Sequence, residues 1–164
     1  MASLASHRVH AVLTTLVDGL TVGGAEAALD HPARSAARLR VYTGILALVA
    51  ADTVARDLPS LQRAFSGMPI EPSDPADRAV LLHQGIATVA WGLAVTVVDG
   101  PVVRVLRRRG HRRPHLLVGV VAGLGAAAST FPAHWRRATE RAAEDLAASR
   151  LDDELAELLA QSAG

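Results

Sequence analysis

An aspartate in the middle of an apolar run is the first feature of this sequence that demands a chemical explanation. Asp18 sits near the centre of a block from Val9 to Leu29. A charged carboxylate at mid-bilayer costs ~2.5–3.5 kcal/mol on insertion scales, so it must face protein and be paired or protonated. Thr14 and Thr21 share its side of a helix, with His7 and His10 further out. Two readings are open. Asp18 is the titrating group of a proton or cation site, or it is a buried acid satisfied by threonine hydroxyls in a block that does not fully span.

A second polar stripe runs through Gln84, Thr88, Thr96 and Asp99, with Gly92 between. Steps of three and four keep these residues near one helix face. Packed against the first block, the stripe would meet Asp18 and line a narrow path. The candidate ion or proton site is therefore Asp18, Thr14, Gln84, Thr88 and Asp99. For the individual threonines, interhelical hydrogen bonding is the simpler role. Asp52 and Arg56, spaced i, i+4, read as a solvated ion pair.

His10 and His83 fall near the same end of their blocks, where two neutral imidazoles could ligate haem or a metal. No fixed-spacing motif supports this, so no metal and no cofactor are expected. Enzyme signatures are missing as well. There is no G-x-S-x-G, no H-E-x-x-H, no glycine-rich phosphate loop and no paired-aspartate metal motif. The chain has no cysteine, which excludes disulfides, thiolate metal sites and thiol nucleophiles. A non-enzymatic protein is expected.

Small residues form two ridges. Gly19, Gly23 and Ala27 repeat every four residues, and so do Gly119, Gly123 and Ala127. Such ridges let helix backbones approach closely. They serve either packing between the first and fourth helices of one chain, which is the commoner use, or a dimer face. A third feature is the run Arg107, Arg108, Arg109, Arg112 and Arg113, which suits anionic lipid head groups at ~1 kcal/mol per residue. Fixing topology would be reason enough for these arginines.

The elements that must carry these groups are legible in the pattern of apolar blocks. The chain has 164 residues, enough for one domain. Half of them are hydrophobic but only 3% are aromatic. That suits a membrane bundle, where small residues make close contacts, better than a soluble core. All 17 basic residues are arginine, which reads as GC-rich coding bias; the net charge of +1 says nothing about a nucleic-acid partner, and none is expected.

Four apolar blocks are expected to span: residues 9–29, 39–54, 79–98 and 115–131. The second is short for the ~20 residues a crossing needs. The connectors rich in Arg34, Arg38 and Arg40 and in Arg104 to Arg113 alternate with a mildly acidic loop holding Asp57, Glu71, Asp74 and Asp77. Pro59, Pro69, Pro72 and Pro75 mark that segment as a loop. The positive-inside rule puts the arginine-rich loops in the cytoplasm and the protein in the inner, cytoplasmic membrane. A soluble helical bundle is the competing architecture, favoured by Asp18, the short second block and a mean hydropathy of only +0.24.

After Pro132, Leu151, Leu155, Leu158 and Leu159 recur at helical spacing in an acidic, amphipathic segment. The fold class expected is all-α: an integral membrane bundle of four helices (1–132) followed by an amphipathic C-terminal helix and tail (133–164). Its expected role is a packing or assembly subunit. The partners would be the lipid bilayer and a second copy or another membrane protein. The alternative is proton- or cation-coupled solute transport through Asp18 and the Gln84–Asp99 stripe, and a bis-histidine haem or metal protein ranks third.

Overall fold

The computed structural model describes residues 4–69 and 74–162. Among them the regular structure is entirely helical: α1 (Leu4–Ala27), a single 3-10 turn (Ala28–Asp30), α2 (Ala36–Phe65), α3 (Pro75–Arg108) and α4 (Pro114–Ser162).

Each boundary has a local cause. Ser35 caps α2 by accepting from the Arg38 amide at 3.2 Å. Asp74 caps α3 by accepting from the Ala76 amide at 2.8 Å, with Pro75 in the first turn, where its missing N–H costs nothing. Gly67 (φ 68°) and Gly110 (φ 84°) end α2 and α3 in the left-handed region. There Met68 N–H reaches back to the Arg63 carbonyl and His111 N–H to the Leu106 carbonyl. The start of α4 is capped from a distance: the Asp30 carboxylate accepts from the amides of His115 (3.2 Å) and Leu116 (2.8 Å).

The four helices run up, down, up and down. The register of α1 against α4 is set by three cross-pairs: His7 with Asp145, Asp18 with His134, and Glu26 with His115. The α1–α4 pair is the tightest in the bundle, and the glycine ridges are the reason. A Cβ at Gly23 would lie 2.5 Å from the Gly119 carbonyl oxygen, and one at Gly19 would lie 2.8 Å from that of Gly123. The two backbones touch, and Ala27 and Ala127 border the contact. The ridges are thus spent inside one chain. α3 packs on α4, with the Trp91 ring laid over Gly125. The apolar core between them is small: Val22, Val95, Val103, Val118, Ala122 and Ala126, flanked by Trp91 and Leu106.

Three helices, α1, α3 and α4, are long and apolar enough to cross a membrane. Their outward faces carry large hydrophobic side chains, such as Leu20, Val97, Val121 and Leu124, each more than half exposed. The buried faces carry Thr14, Thr15, Asp18, Glu26, His115, Thr130, His134 and Arg137. An outside more apolar than the inside is the pattern of a protein that has lipid for solvent.

α2 does not meet the same standard. Its uncharged stretch between Arg40 and Asp52 covers residues 41–51, about 16 Å of helix against a ~30 Å hydrocarbon core. None of its described residues is fully buried. Two sequence expectations about length also change. α2 does not stop near Val54 but runs through position 59 to Phe65, so part of the expected loop is helix. Glu71 and Pro72 of that loop lie outside the described residues. α4 does not pause at Pro132 but continues as one helix to Ser162. Pro132 leaves the Ala128 carbonyl without its amide partner, a loss that a helix packed among others tolerates. His83 of α3 donates to the Ser129 carbonyl (3.0 Å), and Trp91 donates to the Ser129 hydroxyl (3.2 Å).

Candidate functional site

The most buried carboxylate among the described residues is held from two other helices. Asp18 is 4% exposed. Its Oδ1 accepts from Gln84 Nε2 at 2.5 Å, and its Oδ2 lies 3.1 Å from His134 Nε2. Gln84 in turn accepts, through Oε1, from Arg56 at 3.4 Å. Arg56 closes on Asp52 at 2.7 Å, and Asp52 accepts from the Thr14 hydroxyl at 2.8 Å. One chain of polar groups therefore links all four helices, with His134 at one end and Thr14 at the other.

Local structure explains the placement. Thr14 and Asp18 are one turn apart on α1, so both face inward. Asp52 and Arg56 are one turn apart on α2 and lean toward α1 and α3. Gln84 comes from α3, and His134 from α4 just past the proline. With two acids, one arginine and one imidazole, the network balances in charge if His134 is protonated. With His134 neutral it has room for one proton or one small cation.

Water can reach this chain from one side. A cavity of about 700 Å³ opens between the helices, and its wall includes His10, Thr14, Arg56 and His134. Its outer part is held by Arg137, which is bonded to Asp74 (2.5 Å), Asp77 (2.7 Å) and Glu144 (2.9 Å). Arg141 also reaches Asp77, at 2.8 Å, and His7 reaches Asp145 at 2.9 Å. On the opposite side of Asp18 the bundle is closed by the apolar core, Val22, Val95, Val118, Ala122 and Ala126. Beyond that plug lies a second polar cluster, Glu26, Asp99 and His115. Eight residues of α1, about 12 Å, separate Asp18 from Glu26.

Of the sequence candidates, Asp18, Thr14 and Gln84 come together in the network. Thr88 is half-buried one turn along α3. Thr96 turns outward and bonds its own helix at Gly92. Asp99 lies about 22 Å along α3 from Gln84 and belongs to the other cluster. The expected stripe is thus divided between two ends of the bundle. Asp52 and Arg56 do pair, but inside, with side chains 10% and 18% exposed rather than solvated. His83 is occupied at Ser129, while His10 lines the cavity. Arg107, Arg108, Arg109, Arg112 and Arg113 are all exposed, at the end of the bundle that also holds Arg34.

His134 and Arg137 are the residues sequence reasoning missed. Both lie past Pro132, where the apolar block was taken to end. Their signal was present: His134, Arg137 and Arg141 fall at helical spacing on the face that continues from Thr130. The chain matches no family model, no curated protein and no solved structure, so the reading rests on this geometry.

Proposed function

We propose that this protein is a small, non-enzymatic membrane protein that passes protons, or a small cation, through Asp18. One observation carries the reading. A carboxylate within an apolar, span-length helix is held by His134 and Gln84 from two other helices, and His134 itself lines a polar cavity. Ionisable groups at that depth are expensive and serve ion or proton pathways by default. In this proposal the cavity gives access from one face, and the Val22–Ala126 layer is the gate that must yield for passage to the other.

The topology proposed is four helices in the inner membrane, with the arginine-rich turns at 31–40 and 104–113 in the cytoplasm. α2 takes part although its own apolar stretch is short. Asp52 and Arg56 shed their charge into the bundle, and the exposed Leu46 and Val54 face lipid.

The test is flux. Reconstituted in liposomes with a pH-sensitive dye inside, the wild-type chain should dissipate a proton gradient. Asp18→Asn should lower the rate at least about tenfold while keeping helicity and elution volume. Equal rates in the two proteins would end the proposal.

A second reading, an assembly subunit, has its own observation. α2 has no fully buried residue among those described, and Leu151, Leu155, Leu158 and Leu159 are all exposed on the far end of α4. Both are surfaces for a second copy or another membrane protein. Removing 150–162 leaves His134 and Arg137 in place. Loss of oligomer on that truncation, with flux absent in wild type, would favour this reading over the first.

A further inference from the structure

At the arginine-rich end of the bundle, three side chains from three helices converge. Glu26 comes from the last turn of α1, Asp99 from α3, and His115 from the first turn of α4. His115 Nδ1 lies 2.7 Å from Glu26 Oε1 and 3.0 Å from Asp99 Oδ1. One ligand atom from each falls within 4.8 Å of the others. Glu26 and His115 are 7% and 8% exposed.

With both carboxylates ionised, hydrogen bonding leaves this cluster incomplete. A single ring N–H at Nδ1 can point along the 2.7 Å line to Glu26, but it cannot straighten toward Asp99 as well. Asp99 Oδ1 is accordingly a buried oxygen with no hydrogen-bond partner among the described residues. A buried, unserved carboxylate oxygen calls for an explanation, and an ion is one of the standard ones. The nearby carboxylate that might have competed, Asp30, is already spent on the His115 and Leu116 amides.

We infer that Glu26, Asp99 and His115 form a binding site for a divalent first-row transition ion. With the imidazole neutral, its Nδ1 lone pair and the two carboxylates present one nitrogen and two oxygens to a common point, with charge −2 to match the ion. Ligand atoms ~2.1 Å from a tetrahedral or octahedral ion stand about 3.0–3.4 Å apart, so the 2.7 and 3.0 Å separations at His115 need open by only a few tenths of an ångström. A mixed nitrogen and oxygen set selects Zn²⁺ or its neighbours over Mg²⁺ and Ca²⁺, which prefer oxygen alone. Asp99 is a quarter exposed at its side chain, so water can fill the remaining positions. The ion would tie α1, α3 and α4 together at the end where their turns meet, and this holds whether or not Asp18 carries protons.

The test uses the full chain in detergent, stripped with a chelator and titrated with Zn²⁺ by calorimetry. The wild type should bind one Zn²⁺ per chain. His115→Ala and Glu26→Gln should each weaken binding by at least about tenfold. His134→Ala, which alters the distant cavity, should leave that event intact. Because the chain has no cysteine, Asp99→Cys supplies a single thiol and a second readout. Added Co²⁺ should give a thiolate-to-cobalt charge-transfer band, and adding His115→Ala should remove it. No Zn²⁺ binding, binding unchanged in the Glu26 and His115 variants, or no cobalt band at position 99 would each overturn the site.

Discussion

His134 Nε2 and Asp18 Oδ2 stand 3.1 Å apart although 116 residues separate them in the chain. Each is buried, and each comes from a helix whose outer face is apolar. The two residues should therefore be coupled energetically. A double-mutant cycle of Asp18→Asn and His134→Gln, read by thermal unfolding in detergent, should show an interaction of roughly 0.5–3 kcal/mol. Additive effects would mean that the contact does not persist in solution.

The α1–α4 backbone contact has no room for a side chain. Gly23→Val puts methyl groups where the Gly119 carbonyl already lies within 2.5 Å of the first added carbon. It should destabilise by about 1–3 kcal/mol or more, visible as a lower unfolding temperature. Gly44, by contrast, has nothing within 4 Å of an added Cβ. Gly44→Ala should be neutral or slightly stabilising, since alanine is the better helix former by ~1 kcal/mol.

Thiol labelling can map access, because every introduced cysteine is unique. Ser60→Cys lies on the cavity wall and should react with a membrane-impermeant maleimide added to one face. Arg108→Cys should react only from the opposite face, since Arg108 is exposed at the other end of the bundle. Val22→Cys, in the apolar plug, should stay protected from both. Labelling of Ser60→Cys and Arg108→Cys from the same face would refute the antiparallel arrangement across a membrane.

How far the sequence foretold the structure depends on the range of the interaction. The all-α class and three of the apolar segments are local signals, carried by periodicity. The glycine ridges were legible too, because close backbone approach needs small residues wherever the partner is. Asp18 and Gln84 drew attention by being polar in apolar surroundings. The α3 stripe reads as one path although its length was legible: fifteen residues put Asp99 about 22 Å from Gln84. His134 and Arg137 were passed over because Pro132 reads as a stop in one dimension. In three dimensions the helix goes on, with His83 bonded to the Ser129 carbonyl nearby. The 41–51 stretch, uncharged over only about 16 Å, gave no hint that Asp52 and Arg56 beside it turn into the bundle.

The closest pair of helices is also the pair made furthest apart in time. At ~5–20 residues per second of synthesis, roughly 6–23 s pass between the emergence of Asp18 and that of His134. During that interval α1 has no glycine ridge to rest against, and neither Asp18 nor Glu26 has its histidine. α2 and α3 can assemble around α1 only loosely, as the thin α1–α2 contact suggests. The bundle is therefore a structure closed by its last helix.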